Sequence, residues 1–224
     1  MKVIELFEDQ YYAKEMRIND PKQIAKLLEK ECSTFVKAYR ATHDVLVRGI
    51  RELDSEVTFA EALIRPDREP LFMPKNQHKL INDAMIKLGL KAHRGNSIFC
   101  TSDLSIARQW GRSYAVFPVD GWTGTVFRKI KNYYVFDRIH DQSHDIIMDL
   151  QSDKITDEQA LDEMVNVLYA LEPHSFTSQA GLETVLIESY DDVLITGKKY
   201  YAVAMHDGAA RSGAANDIFS ILGI

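Results

Sequence analysis

The sequence predicts an α+β protein of one domain with one sizeable core, and three observations predict it. Apolar runs at strand spacing and at helical spacing are interleaved without a regular β-α-β rhythm, which argues against a doubly wound parallel sheet. No Pro/Gly/Ser-rich linker divides the 224 residues, so one domain is expected rather than two. Hydrophobic residues make up 46% of the chain, enough for one sizeable core at this length.

"NDPKQIAKLLEKECSTFVKAYRATH" reads as one long helix. Asn19 or Asp20 caps it, Pro21 suits its first turn, and Ile24, Leu27, Leu28, Cys32, Phe35, Val36 and Tyr39 share a face. "DVLVRGI" is a short strand ending in Arg48-Gly49. A mixed stretch follows, in which Pro66, Pro70 and Pro74 favour an extended loop. "NQHKLINDAMIKLGL" is a second helix with Leu80, Ile81, Ala84, Met85 and Leu88 inward and Gly89 as its stop.

"SIFCTSD" is a strand running into a helix, "LSIARQW", capped by Ser102 or Asp103 and closed by Gly111. "SYAVFPV" and "VFRKIKNYYVF" are β-rich. "ITDEQALDEMVNVLYAL" is a helix with a capping box from Thr156 to Gln159. "GLETVLIES" is a short helix, and "DVLI" with "YYAVAM" makes a hairpin over a Gly-Lys-Lys turn. The expected domain is 1–205, with its helical N-terminal part at 20–42. The remainder, 206–224, is a small, polar tail until Ile218, Phe219, Ile221, Leu222 and Ile224. Five large apolar side chains on a frayed end are costly in water, so Ile218–Ile224 is expected to dock, on its own domain or on a partner.

Charge and cysteine usage narrow the function. Twenty-seven basic against 33 acidic residues give a formal charge of −6, which argues against nonspecific nucleic-acid or membrane binding. Cys32 and Cys100 fit neither a disulfide nor a metal pattern and read as reduced cytosolic thiols. The opening "MKVIELFEDQYYAKEM" lacks the apolar stretch of a signal peptide. No window approaches the roughly 18 apolar residues that a membrane span needs. A soluble protein is expected.

Four stretches carry side chains suited to chemistry. Arg48 ends an apolar strand, where its planar fork suits phosphate or carboxylate, or simply a neighbouring acid. "CTSD" offers a thiol and short hydroxyls, either as helix caps or as a shelf for a ribose. In "HDQSHD", His140 and His144 stand four apart with Asp141 between them, a zinc-like spacing that lacks a third ligand; a surface helix with two histidines is the simpler reading. In "ESYDDVLITGKKYYAV", Asp191 and Asp192 stand at the mouth of a strand, as solvated end-residues or as the acid of a site. No Gly-rich phosphate loop is present. The aromatic clusters "NYY" and "KKYYAV" read as core rather than as base-stacking platforms.

Taken in order, "LVRG", "SIFCTSD" and "DDVLITGKKYYAV" resemble the Arg, Ser-Thr-Ser and Glu motifs of the ADP-ribosyltransferase family, in particular its bacteriophage members. "RPDREPLFMPKNQH" is similar to their Arg-x-x-Arg-x-Pro stretch followed by a histidine, and "ARQWGRSYAVFP" to the strand after their serine motif. The resemblance runs from about Val45 to Val203. It implies a split β-core of two facing sheets flanked by helices, with NAD in the cleft. It implies Arg48 on the NAD phosphates, Cys100, Thr101 and Ser102 at the nicotinamide ribose, and Asp192 as the acid. Cys100 and Asp192 depart from the family's serine and glutamate.

Two functions follow from the resemblance. One is a protein ADP-ribosyltransferase of phage type, with NAD as substrate and weak or lost activity. The other is a catalytically inactive virion or host-interaction protein on the same fold. Either implies a host or virion protein as partner, a capsid or tail subunit for the Ile218–Ile224 segment, and residence in host cytoplasm or virion.

Overall fold

The computed structural model describes residues 13–15, 20–51, 53, 57–70, 73–129, 135–190, 192–205 and 213–224. Among these residues nine strands form two wholly antiparallel sheets. The first holds β1 (Ala13–Glu15), β3 (Phe59–Leu63), β9 (Lys199–Ala204), β5 (Arg112–Pro118) and β2 (Val47–Ile50), in that spatial order. The second holds β4 (Ile98–Cys100), β8 (Val193–Thr196), β6 (Thr123–Phe127) and β7 (Pro173–Phe176). The α+β expectation holds.

Helices cover the sheets in two groups. Helices α1 (Pro21–Glu31), α2 (Ser33–Thr42), α7 (Gln179–Glu188) and α8 (Gly213–Leu222) share one apolar cluster with both sheets. Helices α3 (Lys75–Lys87), α5 (Val135–Gln151) and α6 (Asp157–Ala170) build a second cluster on the other face of the second sheet. Alternation along β4 makes this visible: Ile98 and Cys100 belong to the first cluster and Phe99 to the second. The remaining helix, α4 (Leu104–Gln109), lies against β2.

Several expectations need correction. The long first helix is two, broken at Cys32. Asp120 makes the break: its carboxylate accepts from Ser33 N (3.1 Å), Ser33 Oγ (2.7 Å) and Thr34 N (3.1 Å), starting α2 afresh. Cys32 Sγ then donates to the Phe117 carbonyl at 3.2 Å. The mixed stretch after Arg48 contains strand β3. Val135 and Phe136, expected in a β-rich run, open helix α5; "NYY" lies outside the described residues.

The terminal hairpin is not one. β8 pairs with β4 and β6 in the second sheet, β9 with β3 and β5 in the first. The chain crosses between sheets at Gly197-Lys198, where Thr196 Oγ1 donates to the Asn96 carbonyl (2.7 Å) and the Lys198 carbonyl accepts from Ile64 N (3.1 Å).

The tail is not a separate segment either. Helix α8 packs on α1, with Ala215, Ile218 and Leu222 fully buried, and Arg40 Nε donates to the Leu222 carbonyl. Phe219 lies tilted against Phe117. Docking on its own domain is therefore what occurs. No helix among the described residues is long and apolar enough to cross a membrane.

Candidate functional site

Among the described residues the two sheets meet edge to edge at one bridge. β2 ends the first sheet and β4 ends the second, and a single bridge joins them. Val47 N donates to the Thr101 carbonyl (2.7 Å), and Thr101 N donates to the Val47 carbonyl (2.9 Å). A cleft opens at this seam, lined by Arg48, Cys100, Thr101 and Asp192, with Ile106 and Trp110 of the α4 region as its outer wall. Residues up to 144 positions apart in sequence thus converge.

Each lining residue has a local reason to be there. Arg48 is in register with Tyr114 of β5 and is buried, and its Nη1 donates to the Phe99 carbonyl at 3.0 Å. Asp192 immediately precedes β8, whose Val193 pairs with Cys100, so strand pairing sets the acid beside the thiol's strand. It is 8% exposed. Asp191 lies outside the described residues. Thr101 Oγ1 accepts from Asp103 N (3.0 Å), and Asp103 in turn caps α4 by accepting from Ser105 N (2.7 Å). Those Ser105 bonds hold the Asp103 carboxyl below its ordinary range.

Ser102 is held by the chain that leads to Asp192. It does not line the cleft. Its backbone N (3.1 Å) and Oγ (2.9 Å) both donate to the Tyr190 carbonyl, tying the end of β4 to the turn that leads to Asp192. Tyr190 OH donates to Glu188 Oε2 at 2.6 Å, and burial followed by this bond pushes the phenol up to about 12.

Two glycines set the close fit of the outer wall. A Cβ on Gly49 would lie 2.2 Å from the Ala107 carbonyl oxygen and 2.6 Å from Trp110 Cβ, so only glycine lets α4 lie on β2. Gly111, at φ +144°, turns the chain from α4 into β5 beside the Ile50 carbonyl. The resulting cleft is tight: its volume is about 10 Å³, room for about one water.

A second set of buried polar side chains lies behind the seam. Arg68, Gln77, His78 and Arg94 are all buried. The sequence pointed at two of them through "RPDREP…NQH"; nothing marked Arg94. His140 and His144 lie on α5, with His140 Nδ1 3.7 Å from Asp141 Oδ1. Among the described residues, no group of three or more His, Cys, Asp or Glu side chains is placed to hold a metal ion.

Comparison of the chain with protein-family models, curated proteins and solved structures finds no match.

Proposed function

We propose that the seam is a nucleotide site of ADP-ribosyltransferase type, with NAD as donor and a protein as acceptor. The observation that carries this reading is the convergence of Arg48, Cys100, Thr101 and Asp192 on one cleft between two antiparallel sheets. The set suits the chemistry: a guanidinium for phosphate, a hydroxyl, and a carboxylate at a strand end.

In this reading the bond between ribose C1′ and the nicotinamide nitrogen breaks, and its electron pair leaves with nicotinamide. Positive charge develops on the sugar ring, which the Asp192 carboxylate stabilises. An acceptor nucleophile then bonds to C1′ and gives up its proton. Arg48 holds the diphosphate. Aspartate keeps the charge of the family's glutamate but stands back by one C–C bond, about 1.5 Å. A misplacement of that order costs roughly a hundredfold in rate.

The second reading, an interaction protein without catalysis, is favoured by the closeness of the cleft. Ligand sites typically enclose roughly 300–1,000 Å³, so the whole dinucleotide fits only if α4 and Trp110 move outward. Ser102 in its latch to Tyr190 also favours this reading.

Calorimetry with NAD on wild type and Arg48→Ala, together with NAD turnover for Asp192→Asn and Asp192→Glu, separates the two. The transferase reading expects binding at least roughly tenfold weaker in Arg48→Ala, no turnover in Asp192→Asn, and more than wild-type turnover in Asp192→Glu. Equal heats in wild type and Arg48→Ala remove Arg48 from the reading. No turnover in any form leaves the interaction protein, with a host or virion protein as its partner.

A further inference from the structure

Three buried arginines meet at Phe99. Its backbone carbonyl accepts from Arg48 Nη1 at 3.0 Å. Its ring, on the other face of the sheet, has the guanidinium carbons of Arg68 and Arg94 at 5.3 and 5.4 Å from its centroid, within cation–π range. Arg68 is 3% exposed and Arg94 1%.

Both outer arginines are themselves anchored. Arg68 donates from its backbone N to the Gly95 carbonyl at 2.8 Å and from Nη1 to the Ser97 carbonyl. Arg94 Nε donates to His78 Nδ1 at 3.3 Å. That bond needs a neutral imidazole, and His78 is kept neutral: burial first, then the Arg94 charge, pulls its pKa down to about 4.

Phe99 is a residue in need of holding. β4 is an edge strand, three residues long, paired with β8 on one side and, among the described residues, bridged on the other at Val47–Thr101. With so few backbone pairs on the β2 side, the set of the Phe99 carbonyl, and of the guanidinium bonded to it, depends on how the Phe99 side chain is held. Two anchored cations grip its ring.

We propose that Arg68 and Arg94 are positioning residues for Arg48, acting through Phe99: they clamp its ring and thereby fix the carbonyl that orients the Arg48 guanidinium. The consequence for NAD rests on the reading given above; the geometry does not.

Phe99→Leu and Arg94→Met keep most of the side-chain volume and remove the cation–ring contact, whereas Arg94→Lys keeps the cation. Leu168→Ala, in the same apolar cluster but on α6, weakens the fold without touching the clamp. Nitrogen-15 NMR of the arginine side chains reads the exchange of the Arg48 guanidinium protons, and calorimetry reads NAD affinity. Arg48 exchange is expected to be slow in wild type and Leu168→Ala. It should be about tenfold faster in Phe99→Leu and Arg94→Met, and intermediate in Arg94→Lys, with NAD affinity falling in the same order. Unchanged Arg48 exchange in the clamp variants, or an equal change in Leu168→Ala, overturns the proposal. If Phe99→Leu does not fold, the two Arg94 variants make the same comparison. If wild type binds no NAD, the NAD reading falls and Arg48 exchange alone decides the clamp.

Discussion

Strand β9 and the β2–β4 seam treat hydrogen bonds and charge in opposite ways. β9 pairs with β3 and with β5 over five residue pairs on each side, and every residue from Tyr200 to Ala204 is buried. The charges at its start are closed into a network. Lys199 Nζ donates to Glu61 Oε2 and to Tyr201 OH, both at 2.7 Å, and lies 3.3 Å from Glu31 Oε2, which also accepts from Tyr201 OH at 2.7 Å. The seam has one bridge, and there Arg48 and Asp192 line a cleft. Continuous pairing with opposite charges in direct contact contributes stability. A sparse junction with charges along a cleft gives up stability for the placement of side chains. Substitutions at β9 are therefore expected to read out as stability, and those at the seam as binding.

The largest effect expected is an exception that sharpens this contrast. Gly49→Ala puts a Cβ into the backbone of α4, 2.2 Å from the Ala107 carbonyl oxygen, and backbone cannot rotate away as a side chain does. Lifting α4 off β2 is expected to cost about 3 kcal/mol, measured by urea unfolding. A loss below about 1 kcal/mol would mean that α4 rises easily, and that the cleft opens at little cost.

At β9 the corresponding break is Lys199→Met. Burial pulls the Lys199 pKa down, but its hydrogen bonds to Glu61, Tyr201 and Glu31 outweigh this and hold it above the usual lysine range. Removing the cation leaves two half-buried carboxylates facing one another. The expected loss is about 2 kcal/mol, less than for a fully buried pair, with NAD affinity unchanged. A change in NAD affinity without a change in stability would reverse the assignment of the two regions.

The residues that line the candidate cleft were singled out in the sequence more readily than the path of the chain around them. Arg48 in a short apolar strand (its second residue rather than its end), Cys100 and Thr101 at a strand-to-helix change and Asp192 at a strand mouth are each local features, set by residues within a few positions. What the sequence hid is set from afar. The break at Cys32 comes from Asp120, which no helical periodicity announces. "FAEAL" has the composition of a helix and becomes β3 because β9 pairs along its whole length. The Gly197-Lys198 turn carries the signal of a hairpin, yet its strands diverge, since a local turn does not specify which sheet each arm joins. Ser102 Oγ donates to the Tyr190 carbonyl, 88 residues away in sequence, a partner that no local pattern announces.

The smallest effect expected concerns pH, and it separates the two regions by where they titrate. His78, behind the seam, has a folded pKa of about 4 against an ordinary 6.5. The unfolded chain therefore takes up a proton at this residue while the folded chain does not, in the window between those values. Stability from His78 is complete above pH 6.5, falls as the pH drops toward 4, and levels off below, where both states are protonated. In dry surroundings the difference is about 3 kcal/mol; partial access of water to the ring reduces it to on the order of 1 kcal/mol. At β9 the Tyr201 bond holds Glu31 below the ordinary 4.5, so its contribution is lost only at lower pH. His93 and His174 also have lowered pKa values, which is why the quantity to measure is the difference between wild type and His78→Gln. Glutamine still offers Arg94 an acceptor oxygen and does not titrate. Urea unfolding at pH 7 and pH 4.5 should show wild type losing more stability than His78→Gln, by on the order of 1 kcal/mol. Equal losses in the two proteins would mean that His78 is protonated in the folded state at pH 4.5, and that the Arg94 anchor is not held by a neutral imidazole.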